Sequence, residues 1–157
     1  GSGCATERVR LGDRPQPYPG YAHFRAKQEA AKVAYQMSGI KDARKEIDVA
    51  ELADTFTGAE LQAYEALGFC EVGESGELAE QGVFDIGGEL PTNTSGGLIG
   101  QGAPPGGIGI AQGVEILAQL RGERPDAVQV RDARMGLMDI HGGTSSFAVV
   151  SIFSRED

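Results

Sequence analysis

The sequence predicts an α/β domain: a mixed, mostly parallel sheet with helices packed on it and an antiparallel pair of strands at its end. Three observations carry this reading. Strand-type and helix-type stretches alternate along the chain. A glycine- and proline-rich run at 93–109, NTSGGLIGQGAPPGGIG, leads directly into a helix-period pattern, and the run FAVVSIF at 147–153 is apolar almost throughout. With so many glycines and prolines, 93–109 is predicted to be neither helix nor ladder strand but a shaped loop.

The elements follow in order. Residues 1–9 open with small side chains and read as a strand, and Pro15, Pro17 and Pro19 make 10–20 a loop or extended connection. Ala26, Ala30, Val33, Ala34 and Met37 then fall on one face, with Lys27, Gln28, Lys32 and Gln36 on another, so an amphipathic helix is predicted over 22–38, stopped by Gly39. A charged connection at 41–46 leads to a short strand at 47–52, IDVAEL. Thr57 and Glu60 have the spacing of a capping box, and Phe56 and Leu61 that of a hydrophobic staple, which predicts a helix over 57–68 ended by Gly68.

The acidic, glycine-rich stretch 71–89, with Val83, Phe84 and Ile86 as its apolar cluster, reads as a solvated excursion with a short strand. After the loop, Ile110, Ala111, Val114, Leu117, Ala118 and Leu120 predict a helix over 107–121, closed by Gly122. The alternation Val128, Gln129, Val130, Arg131 predicts a strand over 127–140 with one wetter face. Residues 139–144 read as a hairpin-like turn, and 147–153 as a strand buried on both faces.

Composition narrows the function. The 157 residues suffice for one domain with a real core, and 40% apolar with 24% charged residues is ordinary for a globular protein. The sequence has neither a bilayer-spanning apolar run nor the residue series of a signal peptide, which predicts a cytoplasmic protein. A net charge of −9 argues against nucleic acid or an anionic membrane as partner. Cys4 and Cys70 are too few and too far apart for a zinc motif and are expected to be free, buried thiols, and no metal site is expected. The loop places backbone N–H groups at a helix N-terminus, where anionic or carbonyl ligands are favoured. Neither GxxxxGK[ST] nor a GxGxxG after a strand is present, so a turn that simply lets the helix pack closely stands beside the ligand-binding reading.

Five ordered stretches resemble the C-terminal half of thiolases: GSGCATERVRLGDRP, DVAELADTFTGAEL, ALGFCEVGESGE, the loop at 93–109 and HGGTSSFAVVSIF. The loop is similar to the family's N-x-S-G-G followed by G-H-P-x-G-x-x-G, aligned without a gap through Asn93, Ser95, Gly96, Gly97, Gly102, Pro104 and Gly109. The nearest resemblance is to sterol-carrier-type thiolases and their bacterial and archaeal acetyl-CoA acetyltransferase-like cousins. It implies a thiolase-type half with a five-stranded sheet spanning 1–157. It also implies that the family's other half, which bears the nucleophilic cysteine, lies elsewhere.

The family's catalytic groups are replaced here. The Asn or His of N-E-A-F or H-D-A-F is Ala53, in Ala53-Asp54-Thr55-Phe56; the GHP histidine is Ala103; and C-x-G reads Ile140-His141-Gly142. The backbone N–H of Gly142, followed by Gly143, retains the capacity to serve an oxyanion hole. His141 is read as a residue whose side chain points away from the site, with a replacement acid–base role as the alternative. His23 is expected at the surface.

Two functional classes follow. One is a C-terminal half or subunit of an acyl-CoA C-acyltransferase, inactive alone, acting on CoA thioesters without a further cofactor and completed by an N-terminal thiolase half or another thiolase-like subunit. This class includes aldol-type enzymes of side-chain degradation that work with a small zinc/OB-fold partner. The other is a non-catalytic, thiolase-like scaffold subunit.

Overall fold

The computed structural model describes residues 2–6, 24–142 and 146–156. His23, Gly143, the connection at 10–20 and the tip of the last turn lie outside them. The described elements are β1 (Ser2–Thr6), α1 (Arg25–Ser38), α2 (Ala43–Glu46), β2 (Val49–Glu51), α3 (Thr57–Ala66), α4 (Ser75–Glu80), α5 (Gly97–Gln101), α6 (Ile108–Arg121), β3 (Met135–Gly142) and β4 (Phe147–Ser154). The sheet order is β1-β4-β3-β2. β4 lies between β1 and β3 and is antiparallel to both, whereas β2 and β3 are parallel.

Among the described residues the expected five-stranded, mostly parallel sheet is therefore corrected to four strands with two antiparallel ladders out of three. Beyond β2 the fifth position is reduced to one parallel bridge, Ala50 with Thr92. Pro91 accepts from the Ala50 N–H (3.1 Å) but has no N–H of its own, and Asn93, after donating to Ala50 O (2.8 Å), turns to φ 50° and leaves the sheet plane.

Side-chain alternation divides the core. Ala50, Leu52, Leu137, Ala148, Val150 and Ile152 face the alanine side of α1, while Val49 packs with Ile116 and Leu120 of α6. α1 buries Ala26, Lys27, Ala30, Ala31 and Ala34, so the burial face is rotated from the one expected: Val33 and Met37 are exposed and Lys27 is enclosed. Only small residues on that face allow the helix to lie close to β4.

Other expectations change for local reasons. The connection at 41–46 contains α2, capped by the Asp42 carboxylate accepting from Lys45 N–H. At α3 the N-cap is Phe56, with no side-chain cap bond; Phe56 is 73% exposed, so no staple forms, and Glu60 accepts from Asn93 Nδ2 (2.7 Å) instead of closing a capping box. α3 ends at Ala66, short of Gly68. In 71–89 the described structure is α4 and turns in place of a strand, with Phe84 buried and stacked on Tyr64 at 3.7 Å.

The last strands also differ from expectation. Residues 127–134 are not a strand, because the Gln119 side chain occupies their backbone: its Nε2 donates to Val128 O (2.8 Å) and its Oε1 accepts from Val130 N–H (2.9 Å). β3 runs on through His141 and Gly142, so these belong to a ladder and not to a turn. β4 is buried on one face only, through Ala148, Val150 and Ile152; Val149, Ser151 and Phe153 are half-buried. Cys70 is a half-buried free thiol, pushed up to about 11 by burial and nearby carboxylates. Among the described residues, no helix is long and apolar enough to cross a membrane.

Candidate functional site

The loop at 93–109 is held by side chains from β2 and from the segment that follows it. Asn93 bonds in three directions: its N–H to Ala50 O, its Oδ1 from the Leu52 N–H (2.7 Å), and its Nδ2 to Glu60. Ser95 is fixed by the buried Glu51 carboxylate, which accepts from the Ser95 hydroxyl (2.6 Å) and N–H (3.1 Å). Asp54, also buried, accepts from Leu98 N–H (2.6 Å) in the first turn of α5.

That turn exists because Gly96 adopts φ 96° and Gly97 φ 61°. A Cβ on Gly97 would overlap the Asp54 carboxylate, so only glycine lets the turn sit on its anchor. The prediction that 93–109 holds no helix is corrected here: Asp54 supplies the acceptor for a helical N–H, which makes a five-residue α5 possible within the loop. Gly102, at φ 86°, ends α5, and Pro104 packs near Gly107 before α6 begins.

A cleft lies between the end of β2, α5 and α6, with Glu51, Leu52, Ser95, Gly102, Pro104 and Gln112 among its walls. Leu52, Gly102 and Pro104 are chain neighbours of Ala53 and Ala103. Ala53 itself is buried with its N–H directed to Asp139 Oδ2 (3.3 Å), while Ala103 is exposed. Ile140 faces the start of α6, its Cγ2 lying 3.7 Å from where a Cβ on Gly109 would stand. Because β2 and β3 are parallel, Ala53 and Ile140 lie towards the same, C-terminal, end of the sheet.

Gly142 pairs with Phe147, whose ring fills the space that a side chain at 142 would need. His141 projects from the opposite face to Ile140, towards α1, with its ring edge on Phe24 at 4.9 Å. Burial, reinforced by Lys27, lowers its pKa against the opposing pull of Asp139, and its Nδ1 is buried without a hydrogen-bond partner among the described residues.

Several participants were not singled out in the sequence. Glu51 and Asp54 position the loop, Gln112 and Glu115 line the cleft, and Lys27 and Asp139 form a fully buried ion pair at 2.5 Å under α1. A signal existed for part of this set: Gln112, Glu115 and Gln119 recur at helical spacing on α6, a polar line inside an apolar pattern.

A glycine-rich loop anchored on the strand end, leading into a helix that packs on a mixed sheet, defines this chain as a thiolase-type α/β half. The chain belongs to the thiolase C-terminal domain-like family, which it matches over residues 18–155. It is 43% identical over 126 residues to the acetyl-CoA acetyltransferase of Methanothermobacter thermautotrophicus, covering 80% of this chain and 32% of that protein. It is 42% identical over 130 residues to sterol carrier protein 2 of Bos taurus, covering 83% and 23% respectively. Among solved structures it resembles an Ltp2-ChsH2(DUF35) aldolase with a TM-score of 0.76 and 25% identity, over 97% of this chain and 38% of the other. The chain thus spans a third or less of the length of these two curated relatives.

Proposed function

We propose that this chain is the C-terminal half, or a subunit carrying that half, of a cytoplasmic thiolase-superfamily enzyme that forms or breaks a carbon–carbon bond in a CoA thioester. On this reading it is inactive until a nucleophile-bearing half or subunit completes it. One observation carries the reading: the loop is anchored in full by Asn93, Glu51 and Asp54, while alanine or isoleucine stands at the three positions of the family's reacting side chains. The chain contributes a shaped wall and the Gly142 peptide, and the reactive groups come from elsewhere. Ile110, Val114 and Leu117 support a partner, since they leave one face of α6 apolar and exposed.

The likeness to a solved aldolase favours a second reading, aldol-type cleavage with a DUF35-like zinc/OB-fold protein as partner. Both are tested on the same preparations. The purified chain mixed with acetoacetyl-CoA and CoA is expected to give no loss of enolate absorbance above background. With a nucleophile-bearing half present, Ala53→Asn together with Ala103→His is expected to raise thiolysis by about a hundredfold, the worth of an oxyanion donor. A protein that folds and pairs yet gains nothing would show that no latent thiolase site lies at 53 and 103, and would make the aldol-type or non-catalytic reading the better one. Release of an aldehyde or ketone from a β-hydroxyacyl-CoA would then support the aldolase, and its absence the scaffold.

A further inference from the structure

Helix α6 treats two of its glutamines in opposite ways. Gln119 is satisfied at both ends, donating to Thr94 Oγ1 and Val128 O and accepting from Val130 N–H and Gln129 Nε2. Two turns earlier Gln112 is also buried and lines the cleft, but among the described residues neither its amide oxygen nor its nitrogen has a partner. An orphaned buried amide costs roughly 1–3 kcal/mol, so a native chain that keeps one has something else for it to bind.

Glu51 and Glu115 also line this cleft. Glu115 has a counter-charge in Arg124, whose Nε lies 3.0 Å away although its N–H is not aligned for a hydrogen bond. Glu51 has none: the Ser95 hydroxyl and N–H bind its carboxylate, but no ion pair among the described residues includes it. Asp54 nearby is engaged by the first turn of α5. The cavity, about 110 Å³, therefore faces one uncompensated carboxylate and one free amide oxygen, and it has room for water-sized guests.

We propose that this cavity binds one monovalent cation of potassium size, coordinated by the Glu51 and Glu115 carboxylates and the Gln112 amide oxygen. Water entering through the cleft completes the shell and accepts from the Gln112 amino group. The charge balance selects a single positive charge, because Arg124 already offsets Glu115. The donor set is oxygen only, which suits a hard cation and not zinc. Among the described residues no three His, Cys, Asp or Glu side chains gather as ligands, so a divalent carboxylate cage is not built here.

Such an ion would join β2, the loop at Ser95 and α6 beneath the glycine-rich turn, whatever chemistry the loop serves. Binding would weaken as Glu51 takes up a proton, a change that burial promotes most, that the Ser95 hydrogen bonds oppose, and to which repulsion from Glu115 and Asp54 adds.

The test uses the full chain in the assembly in which it is isolated. Melting is followed in potassium chloride and in N-methylglucamine chloride at equal ionic strength. A saturable rise of a few degrees with potassium alone is expected, and loss of one charged ligand should weaken it by about tenfold or more in Glu51→Gln. Gln112→Met keeps the volume and removes the ligand oxygen; it should weaken the response as well, and it decides the matter if Glu51→Gln does not fold. Crystals soaked in thallium(I) acetate should show an anomalous peak between Glu51 and Gln112. A melting point indifferent to potassium with no peak, or a response unchanged in both variants, would overturn the proposal in favour of water alone.

Discussion

Asp139 and Glu51 are carboxylates buried on opposite faces of one sheet, and their surroundings differ in kind. Asp139, on β3 under α1, has the Lys27 ammonium at 2.5 Å and the Ala53 N–H at 3.3 Å, within a face of close-packed alanines. Glu51, on β2 under α6, has a serine hydroxyl and a peptide N–H, and a cleft beside it. A carboxylate with a cation in contact has its charge balanced inside the core. One held only by neutral donors titrates: burial lifts Glu51 to about 7, with the Ser95 bonds opposing and Glu115 and Asp54 adding to the rise. The face under α1 is thus closed, and the adjustable group stands on the face that carries the glycine-rich loop and the exposed stripe of α6.

The comparison breaks most sharply at Lys27. Lys27→Met leaves the Asp139 charge buried without a cation and should cost about 3–5 kcal/mol in urea unfolding. Adding Asp139→Leu should recover most of that loss; no recovery would mean that Lys27 acts through packing alone.

A smaller effect is expected at Glu51, and it depends on pH. Its folded pKa is raised above the ordinary 4.5, so the stabilisation from its bound proton is complete below pH 4.5 and is lost as pH rises through about 7. In potassium-free buffer Glu51→Gln should therefore gain on the parent by roughly 2–3 kcal/mol between those limits. Parallel stability curves for the two proteins would show that Glu51 does not titrate in this window.

The smallest of the three concerns the loop. Gly97→Ala must place a methyl group on the Asp54 carboxylate at positive φ, which should cost about 1–2 kcal/mol and release α5. Faster amide exchange at Leu98, with α1 unchanged, is the signature to look for; exchange unaffected at Leu98 would show that Asp54 does not hold the turn.

Much of the order was legible because its signals are local. Gly39 and Gly122 stop α1 and α6 where the periodicity ends, FAVVSIF is a strand, and the motif at 93–109 marked the loop and the family. Local signals also misled where a distant group intervened. Thr57 and Glu60 have capping-box spacing, but Asn93, 33 residues beyond Glu60, takes the Glu60 carboxylate. Val128 to Arg131 alternate like a strand, but Gln119 holds their peptide groups.

By itself, then, the sequence determined the α/β class and the loop with the helix that follows it, because backbone preference and side-chain identity are properties of residues and their near neighbours. Only the tertiary structure decided that Lys27 is interior, that Asp54 builds a helix inside a glycine run, and that Gln112 faces a cavity beside Glu51. Each depends on a partner far along the chain: Asp139 lies 112 residues beyond Lys27, and Leu98 lies 44 beyond Asp54. The free energy of a buried polar group is set by what meets it in space, and the spacing of residues along the chain does not encode that meeting.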